Sequence, residues 1–237
     1  MRVLDDRELL DVRVRALFRH DARGRLLSVN EPWGESAAAP PRLFLGRTRA
    51  GNLWRFRADL PESLVKELEP LCADEPTGAG LRDGPRHAEA YARILGAHAH
   101  AGGVVAGPAY RFEKYPEPSR PLLAVTEANA EVLRGGFDEF VAEPATAQPF
   151  VAALEEGRAV SVCRSVRVTA AAHEAGVETL PRFRGRGYAA DVTAGWARLV
   201  LFAGAAPLYS TSWENRASQS VAKRLGLVQY AADFQVR

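Results

Sequence analysis

The sequence predicts an α+β fold with a mixed sheet, and two observations support this prediction. Of the 237 residues, 47% are apolar and 25% are charged, which is the composition of a soluble globular protein with a core. In the second half of the chain, hairpin strands are followed by a strand, a glycine loop, a helix, a strand, a helix and a last strand. Hairpins that continue into such a tail indicate an α+β domain.

The first hundred residues are predicted to contain two β-hairpins followed by helices. Apolar residues alternate with polar ones on both sides of the turn 21–24, and a second hairpin surrounds the turn 49–52. Pro61 suits the first turn of a helix because its φ angle is fixed and no N–H is needed there. The predicted strands are 12–19, 25–30, 41–48 and 53–58, and the predicted helices start at Pro61 and cover 87–96.

A stretch rich in glycine and alanine, 97–107, is predicted to link this part to the rest of the chain. We therefore divide the chain into an N-terminal hairpin and helix domain of unknown role, 1–100, and a C-terminal domain, 104–237. The strands predicted in the second domain are 104–112, 122–125, 149–154, 159–168, 175–180, 208–212 and 228–236. The helices predicted there are 126–133, 188–202 and 216–225.

Charge and cysteine content exclude several classes of protein. The 31 basic and 29 acidic residues give a net charge of +2, so neither nucleic acid nor a membrane surface is an expected partner. The N-terminus lacks the apolar stretch of a signal peptide, which predicts a cytoplasmic protein. Cys72 and Cys163 have no metal-binding or redox spacing and are predicted to be buried free thiols. His98 and His100 lack a third ligand, so no metal site is expected.

The residues that carry chemistry begin with the segment Arg182-Phe183-Arg184-Gly185-Arg186-Gly187-Tyr188-Ala189, between a predicted strand and a predicted helix. Two glycines let the backbone approach a ligand, and the first turn of the helix offers unpaired N–H groups. The helix dipole and three arginines add positive charge, so the segment has the features of a pyrophosphate site. The alternative is a basic turn whose glycines only permit a tight connection.

One alternative function rests on the same glycines. Gly185-x-Gly187-x-x-Ala190 matches the dinucleotide-binding fingerprint, which would make the protein an NAD(P)-binding oxidoreductase. The context argues against it, because an antiparallel hairpin precedes the loop and no acidic residue ends the next predicted strand.

The motif Arg182-x-x-Gly185-x-Gly187 resembles the signature of the GNAT (Gcn5-related N-acetyltransferase) superfamily. Residues 177–181 resemble that family's fourth strand, and Asn215-x-x-Ser218 with the following Leu225-Gly226-Leu227 resembles its later helix. The resemblance covers about 104–237 and is strongest over 174–227. It implies a GNAT-like, mostly antiparallel mixed sheet flanked by helices, an acetyl-CoA co-substrate and a primary amine acceptor.

The resemblance also implies roles for individual residues. Backbone amides of the glycine loop would hold the pyrophosphate, the main chain of the preceding strand would pair with the pantetheine arm, and Asn215 would bond that arm. The implied acetyl-CoA-binding residues are Val177, Glu178, Thr179, Arg182, Phe183, Arg184, Gly185, Arg186, Gly187, Tyr188, Ala189 and Asn215.

In this family the amine attacks the thioester directly, so the site needs a base, an oxyanion donor and a proton source for the thiolate. Glu178 is the predicted base because it lies on the strand beside the thioester, and Glu174 is the reserve. A backbone amide near Thr179 or Leu180 is the predicted oxyanion donor.

The sequence departs from the family pattern at one catalytic position. Many members carry a tyrosine four residues after the serine of the later helix, whereas this chain has Ala222. Ser218 is the predicted catalytic donor to the thiolate, with water, Tyr209 or Tyr230 as alternatives. The missing tyrosine keeps open a second function, a non-catalytic CoA-binding module. Edge strands near the C-terminus suggest a homodimer.

Overall fold

A computed structural model describes residues 4–35, 38–77, 80–99 and 102–237. The predicted α+β class is confirmed, with a nine-stranded sheet, a small three-stranded sheet and five α-helices in these residues. None of the described helices is both long and apolar enough to cross a membrane. His100, considered above as a metal ligand, lies outside the described residues.

The chain begins with a helix where the sequence predicted a strand. Helix α1 covers Asp6–Leu17, and only the short strand β1, Phe18–His20, is extended, so most of the predicted strand 12–19 is wrong. The side chain of Asp5 accepts the N–H of Glu8 at 2.8 Å, and the side chain of Glu8 accepts the N–H of Asp5 at 3.1 Å. This capping box starts the helix and outweighs the alternation of valines that favoured a strand.

The remaining N-terminal elements agree with the predictions to within a few residues. Strand β2, Leu26–Glu31, pairs with β1 and with the two-residue strand β3, Gly34–Glu35. A hairpin of β4 (Leu43–Thr48) and β5 (Gly51–Phe56) follows. Helix α2 covers Glu62–Ala73, directly after Pro61, and helix α3 covers Ala88–His98.

The C-terminal elements also agree, with one change of helix type. The strands are β6 (Val104–Arg111), β7 (Leu123–Ala124), β8 (Phe150–Glu155), β9 (Arg158–Val168), β10 (Ala172–Thr179), β11 (Ala206–Ser210) and β12 (Val228–Val236). The helices are α4 (Tyr188–Phe202) and α5 (Arg216–Arg224). The predicted helix 126–133 is a 3-10 helix, Glu127–Leu133, that starts from a capping box between Thr126 and Asn129.

The large sheet has the order β5-β4-β12-β6-β11-β10-β9-β8-β7, and only β10 and β11 are parallel. The predicted mixed, mostly antiparallel sheet is therefore confirmed. The N-terminal hairpin belongs to this sheet, because β4 pairs with β12 from Leu43 opposite Val236 to Thr48 opposite Ala231. The division of the chain into two domains stays a prediction, although a continuous β-ladder crosses it.

The parallel strands β10 and β11 separate soon after they meet. They pair only at three positions, the last being Glu174 opposite Leu208. Beyond this point β10 stays hydrogen-bonded to β9, and Leu180 N–H still donates to Val160 at 3.0 Å. Strand β11 stays with β6, and Thr211 N–H donates to Pro108 at 3.2 Å. Each strand follows its outer neighbour, so a gap opens between them.

Helices cover both faces of the sheet. Helix α4 packs on one face through Val192, Trp196 and Val200, in a cluster that includes Tyr209 of β11. Helix α1 packs on the opposite face, in a cluster that includes the neighbouring residue Leu208. The side chains of successive strand residues point to opposite faces of the sheet. Leu208 and Tyr209 therefore show that α1 and α4 lie on opposite faces of the sheet.

A buried ion cluster ties α1 to the place where β10 and β11 separate. Arg13 of α1 is 2% exposed, and its guanidinium lies 3.2 Å from Glu174 and 2.8 Å from Asp233 of β12. Burial lowers the pKa of Arg13, but Asp233 and Glu174 outweigh it and raise that pKa, so the guanidinium is charged. Glu174 also accepts the hydroxyl of Ser210, at the end of β11.

This cluster makes Arg13→Ala strongly destabilising. The substitution leaves two buried carboxylates without their cation, and removing one partner of a buried pair costs roughly 3–5 kcal/mol. Urea unfolding at neutral pH measures the loss. Arg15→Ala is the matched control, because Arg15 lies on the same helix, 72% exposed, and bonds Asp11 four residues earlier. That exposed pair contributes about 0.3–0.5 kcal/mol, so equal losses for the two variants would contradict the prediction.

Candidate active site

A groove of about 920 Å³ lies where β10 and β11 separate. Its walls are the end of β10, the glycine loop, the first turn of α4, the end of β11 and the start of α5. The predicted residues that line it are Val177, Glu178, Thr179, Phe183, Arg184, Gly185, Gly187, Tyr188, Ala189, Asn215 and Ser218. The structure thus brings the two sequence motifs together across one cavity.

The edge of β10 presents backbone groups to this groove. The N–H of Leu180 and the C=O of Glu178 are both turned towards β9, where Val160 O and Ser161 Oγ are their partners. Strand groups alternate in direction, so the backbone of Val177 and Thr179 faces the groove. The carbonyl of Thr179 accepts Arg184 Nε at 3.1 Å.

The glycine loop has the geometry of a helix N-terminal anion site. Gly185 has a φ of 76° and Gly187 a φ of 88°. This is the left-handed region of backbone conformation, which residues other than glycine adopt only with strain. Gly187 is the N-cap of α4, and no side chain caps this end of the helix. The first N–H groups of α4, from Tyr188 onwards, therefore need partners from outside the helix.

Four arginines make this end of the groove positive. Arg182 and Arg186 lie over the ring of Phe183, at 4.8 and 5.5 Å from its centre, so they stand at the rim and do not line the cavity. Arg184 lies along the end of β10, and Arg224 of α5 reaches Gly187. Within the part of the chain that the structure describes, none of the four forms an ion pair with a carboxylate.

Arg224 is a charged groove residue that the sequence did not lead us to predict. A Cβ atom on Gly187 would lie 2.9 Å from a terminal nitrogen of Arg224, so the guanidinium sits directly against the loop. A signal for it was present, because Ala217, Val221 and Arg224 have helical spacing after Asn215 and share one face of α5. All three line the groove.

The start of α5 forms the opposite wall. The Oδ1 atom of Asn215 accepts the N–H of Ser218 at 3.0 Å and caps the helix, which leaves the side-chain NH₂ group as the donor that can reach the groove. Ser218 Oγ lies 2.6 Å from the hydroxyl of Tyr209, which also lines the cavity. Burial raises the pKa of Tyr209 to about 12, although its hydrogen bond with Ser218 lowers it.

The two predicted carboxylates have different surroundings. The side chain of Glu178 is 48% exposed, lines the groove and lies 3.5 Å from the guanidinium of Arg164. Glu174 is 4% exposed and already engaged by Arg13 and Ser210. Of the two, only Glu178 is open to a ligand in the groove.

Other polar residues lie away from the groove. His173 belongs to β10, where its ring bonds Ser165 at 2.9 Å, and burial lowers its pKa. Cys72 and Cys163 are buried free thiols, as predicted. Among the described residues no group of three His, Cys, Asp or Glu side chains could hold a metal ion.

A family model for GNAT acetyltransferases matches residues 150–232. This segment contains both sequence motifs and most of the groove. Residues 150–232 are therefore similar to the GNAT superfamily. The predicted family and the predicted enzyme class, an acyltransferase of GNAT type, are therefore confirmed for this segment.

Solved structures with GNAT titles are similar to parts of the chain, and no curated protein matches the sequence. A putative GNAT acetyltransferase from Novosphingobium aromaticivorans is 18% identical with a TM-score of 0.45, over 57% of this chain and 65% of that chain, less than two thirds of its length. A GNAT acetyltransferase from Colwellia psychrerythraea is 11% identical with a TM-score of 0.46, over 78% and 76%. A GCN5-related N-acetyltransferase-like protein from Streptococcus suis is 15% identical with a TM-score of 0.49, over 83% and 84%.

The glycine loop gives a testable difference between two glycines of this chain. Gly187→Ala should lower the free energy of unfolding by about 1–2 kcal/mol, because its φ is 88°. Gly96→Ala should raise it by about 0.5–1 kcal/mol, because Gly96 lies inside α3 with open space around its Cβ position. Chemical denaturation of the ligand-free protein measures both. A gain of stability in Gly187→Ala would show that the loop does not hold the left-handed conformation.

Proposed function

We propose that the protein is an acetyl-CoA-dependent N-acetyltransferase that transfers an acetyl group to a primary amine by direct attack. The observation that carries the proposal is the groove, in which an open strand edge leads to the uncapped N-terminus of α4. The family match supports acetyl transfer as the class of reaction, and the shape of the groove supports acetyl-CoA as the co-substrate.

The residues present fit an acetyl-CoA molecule. Gly185 has nothing within 4 Å of its Cβ position, so a pyrophosphate can approach the backbone there. The first amides of α4 and the arginines, with Arg224 now included, offer donors to its oxygens. The groove-facing backbone of Val177 offers a strand-like pairing to the pantetheine arm, with Asn215 on the other side. When bound, the co-substrate supplies the acetyl thioester.

A second cavity supports the entry of the acceptor from the other face of the sheet. It has a volume of about 270 Å³ and shares Ser210 and Thr211 with the groove. Its two lining carboxylates, Glu31 and Asp233, are paired with Arg167 and Arg13 of the same lining. Because this cavity meets the groove at Ser210 and Thr211, we propose that the amine enters here.

Glu178 is the proposed base. It lies four residues after Glu174 on β10, so the two side chains point to the same face of the sheet. Glu174 contacts Ser210, which lines the second cavity, and this supports Glu178 as the base for an amine that enters from that face. A carboxylate there removes the proton that the ammonium loses before or during attack.

Two backbone amides, those of Thr179 and Leu180, were predicted as the oxyanion donor, and their hydrogen bonds favour one of them. The N–H of Leu180 is already bound to Val160, whereas the N–H of Thr179 faces the groove. We therefore propose Thr179 N–H as the donor to the carbonyl oxygen. Ser218 is the proposed donor to the leaving sulfur. A homodimer and a cytoplasmic location stay predictions.

Thermal unfolding tests whether the protein binds acetyl-CoA. Acetyl-CoA at a hundred times its Kd should stabilise the protein by about 2.7 kcal/mol, which raises Tm by about 5–10 °C for a chain of this size. NADPH should give no such shift. A shift with NADPH alone would support the oxidoreductase alternative instead.

The same assay tests the role of Arg224. Arg224→Ala should weaken acetyl-CoA binding by about 10–100-fold, the loss of one charge-assisted hydrogen bond. Arg93→Ala, an exposed arginine of α3, is the charge-matched control and should bind as the wild type does. Unchanged binding by Arg224→Ala would remove this residue from the proposed pyrophosphate site.

The base is tested by acetyl transfer to a panel of small amines. Glu178→Gln should lower kcat by about 10²–10⁴-fold with little effect on the Kd for acetyl-CoA. Glu67→Gln, on the exposed side of α2, is the control for the loss of one carboxylate. If the wild type binds acetyl-CoA but acetylates no amine, the non-catalytic CoA-binding module is the better description.

A further inference from the structure

Tyr209 is a groove residue whose position the proposed function does not yet explain. Its ring is only 3% exposed and packs in the core cluster that contains Ala222, the position where many GNAT members carry a tyrosine. Its hydroxyl reaches out of this core to Ser218, lying 2.6 Å from Ser218 Oγ and 3.2 Å from the Ser218 carbonyl oxygen. A strand tyrosine therefore contacts the serine that the mechanism uses.

These contacts fix the position of the serine oxygen. The carbonyl oxygen of Ser218 can only accept, whereas Ser218 Oγ can either accept from Tyr209 or donate to it. When Tyr209 donates to Ser218 Oγ, the serine keeps its own hydrogen for a second partner. Ser218 lines the groove opposite the edge of β10, so a ligand in the groove can be that partner.

We propose that Tyr209 is a positioning residue that turns the Ser218 hydroxyl towards the sulfur of coenzyme A. This inference rests on the proposed function. In this proposal Tyr209 of β11 orients Ser218, which donates to the leaving sulfur. Helix α5 has Ala222 where many GNAT members have a tyrosine.

Tyr209 and Ser218 together donate a hydrogen bond to the sulfur and do not transfer a proton to it. During transfer the amine nitrogen bonds the carbonyl carbon, the C–S bond breaks, and its electron pair goes to sulfur. A thiol has a pKa near 8.5, well below that of Tyr209 at about 12, so the thiolate does not take the proton of either hydroxyl. It is stabilised by the hydrogen bond from Ser218 and is protonated by solvent when it leaves.

The pKa of the thiol of bound CoA is the readout, followed by the ultraviolet absorbance of the thiolate. A hydrogen bond to the thiolate lowers that pKa, so Tyr209→Phe and Ser218→Ala should each raise it by about one unit relative to the wild type. The double variant should show no further rise, because the two residues act through one hydrogen bond. A merely structural role of Tyr209 would not move this pKa.

The surrounding groups do not interfere with the titration. Those that act electrostatically on Tyr209 are Cys163, Tyr110 and Glu174. Burial raises the pKa of Cys163 and of Tyr110, and Glu174 is held by Arg13. Tyr110→Phe is the matched control, because its ring lies 6.3 Å from that of Tyr209 on β6 and its loss should leave the thiol pKa unchanged.

The outcomes separate this inference from the proposed function. If CoA binds to all variants and the thiol pKa rises only in Tyr209→Phe and Ser218→Ala, the inference is supported. If CoA binds and Tyr209→Phe leaves the pKa unchanged while Ser218→Ala raises it, Tyr209 does not position the serine. If CoA does not bind the wild type, the proposed function fails and takes the inference with it. Should Tyr209→Phe not fold, an unchanged pKa in Ser218→Ala overturns the proposal by itself.

Discussion

The separation of β10 from β11 is the constraint on which the rest of the site depends. Two parallel strands joined by α4 would normally pair along their length, yet these pair at only three positions. Strand β10 remains bound to β9, and the chain beyond β11 remains bound to β6 through Thr211 and Trp213. The backbone groups that would have paired with each other instead face a groove, and buried or half-buried polar groups of this kind need partners. A ligand that offers amides can supply them.

Two local features hold this arrangement. At Gly107 an added Cβ would lie 1.8 Å from the carbonyl oxygen of Thr211, so only glycine lets β6 and the chain after β11 approach so closely. At the base of the gap, Glu174 links β10 to Ser210 of β11 and to Arg13 of α1. Strands β10 and β11 are therefore linked to each other where they pair, and beyond that point each is hydrogen-bonded to its outer neighbour. Through Arg13 the N-terminal part of the chain contributes directly to the geometry of the groove.

Much of this architecture could be predicted from the sequence, because local signals determine it. Helix α4 and strand β12 have the predicted bounds, since a glycine pair precedes one and a Leu-Gly-Leu turn precedes the other. Helix α1 was missed because Val12, Val14, Ala16 and Phe18 alternate like a strand, whereas the capping box that starts the helix lies earlier, at Asp5 and Glu8. The pairing of β4 with β12 joins residues almost two hundred positions apart, and no local pattern encodes such a contact.

The site shows the same division between local and distant information. The glycine loop and Asn215-x-x-Ser218 are short motifs, so their residues could be named before the fold was known. The partner of Ser218 could not be chosen, because Tyr209 and Tyr230 are equivalent in the sequence until the sheet places them. Tyr209 points to the face of α4 and α5 and reaches the serine, whereas the hydroxyl of Tyr230 is buried near Arg13 without a hydrogen-bond partner among the described residues. The choice between the two tyrosines follows from the alternation of side chains along a strand, since a shift of one position would turn Tyr209 to the opposite face.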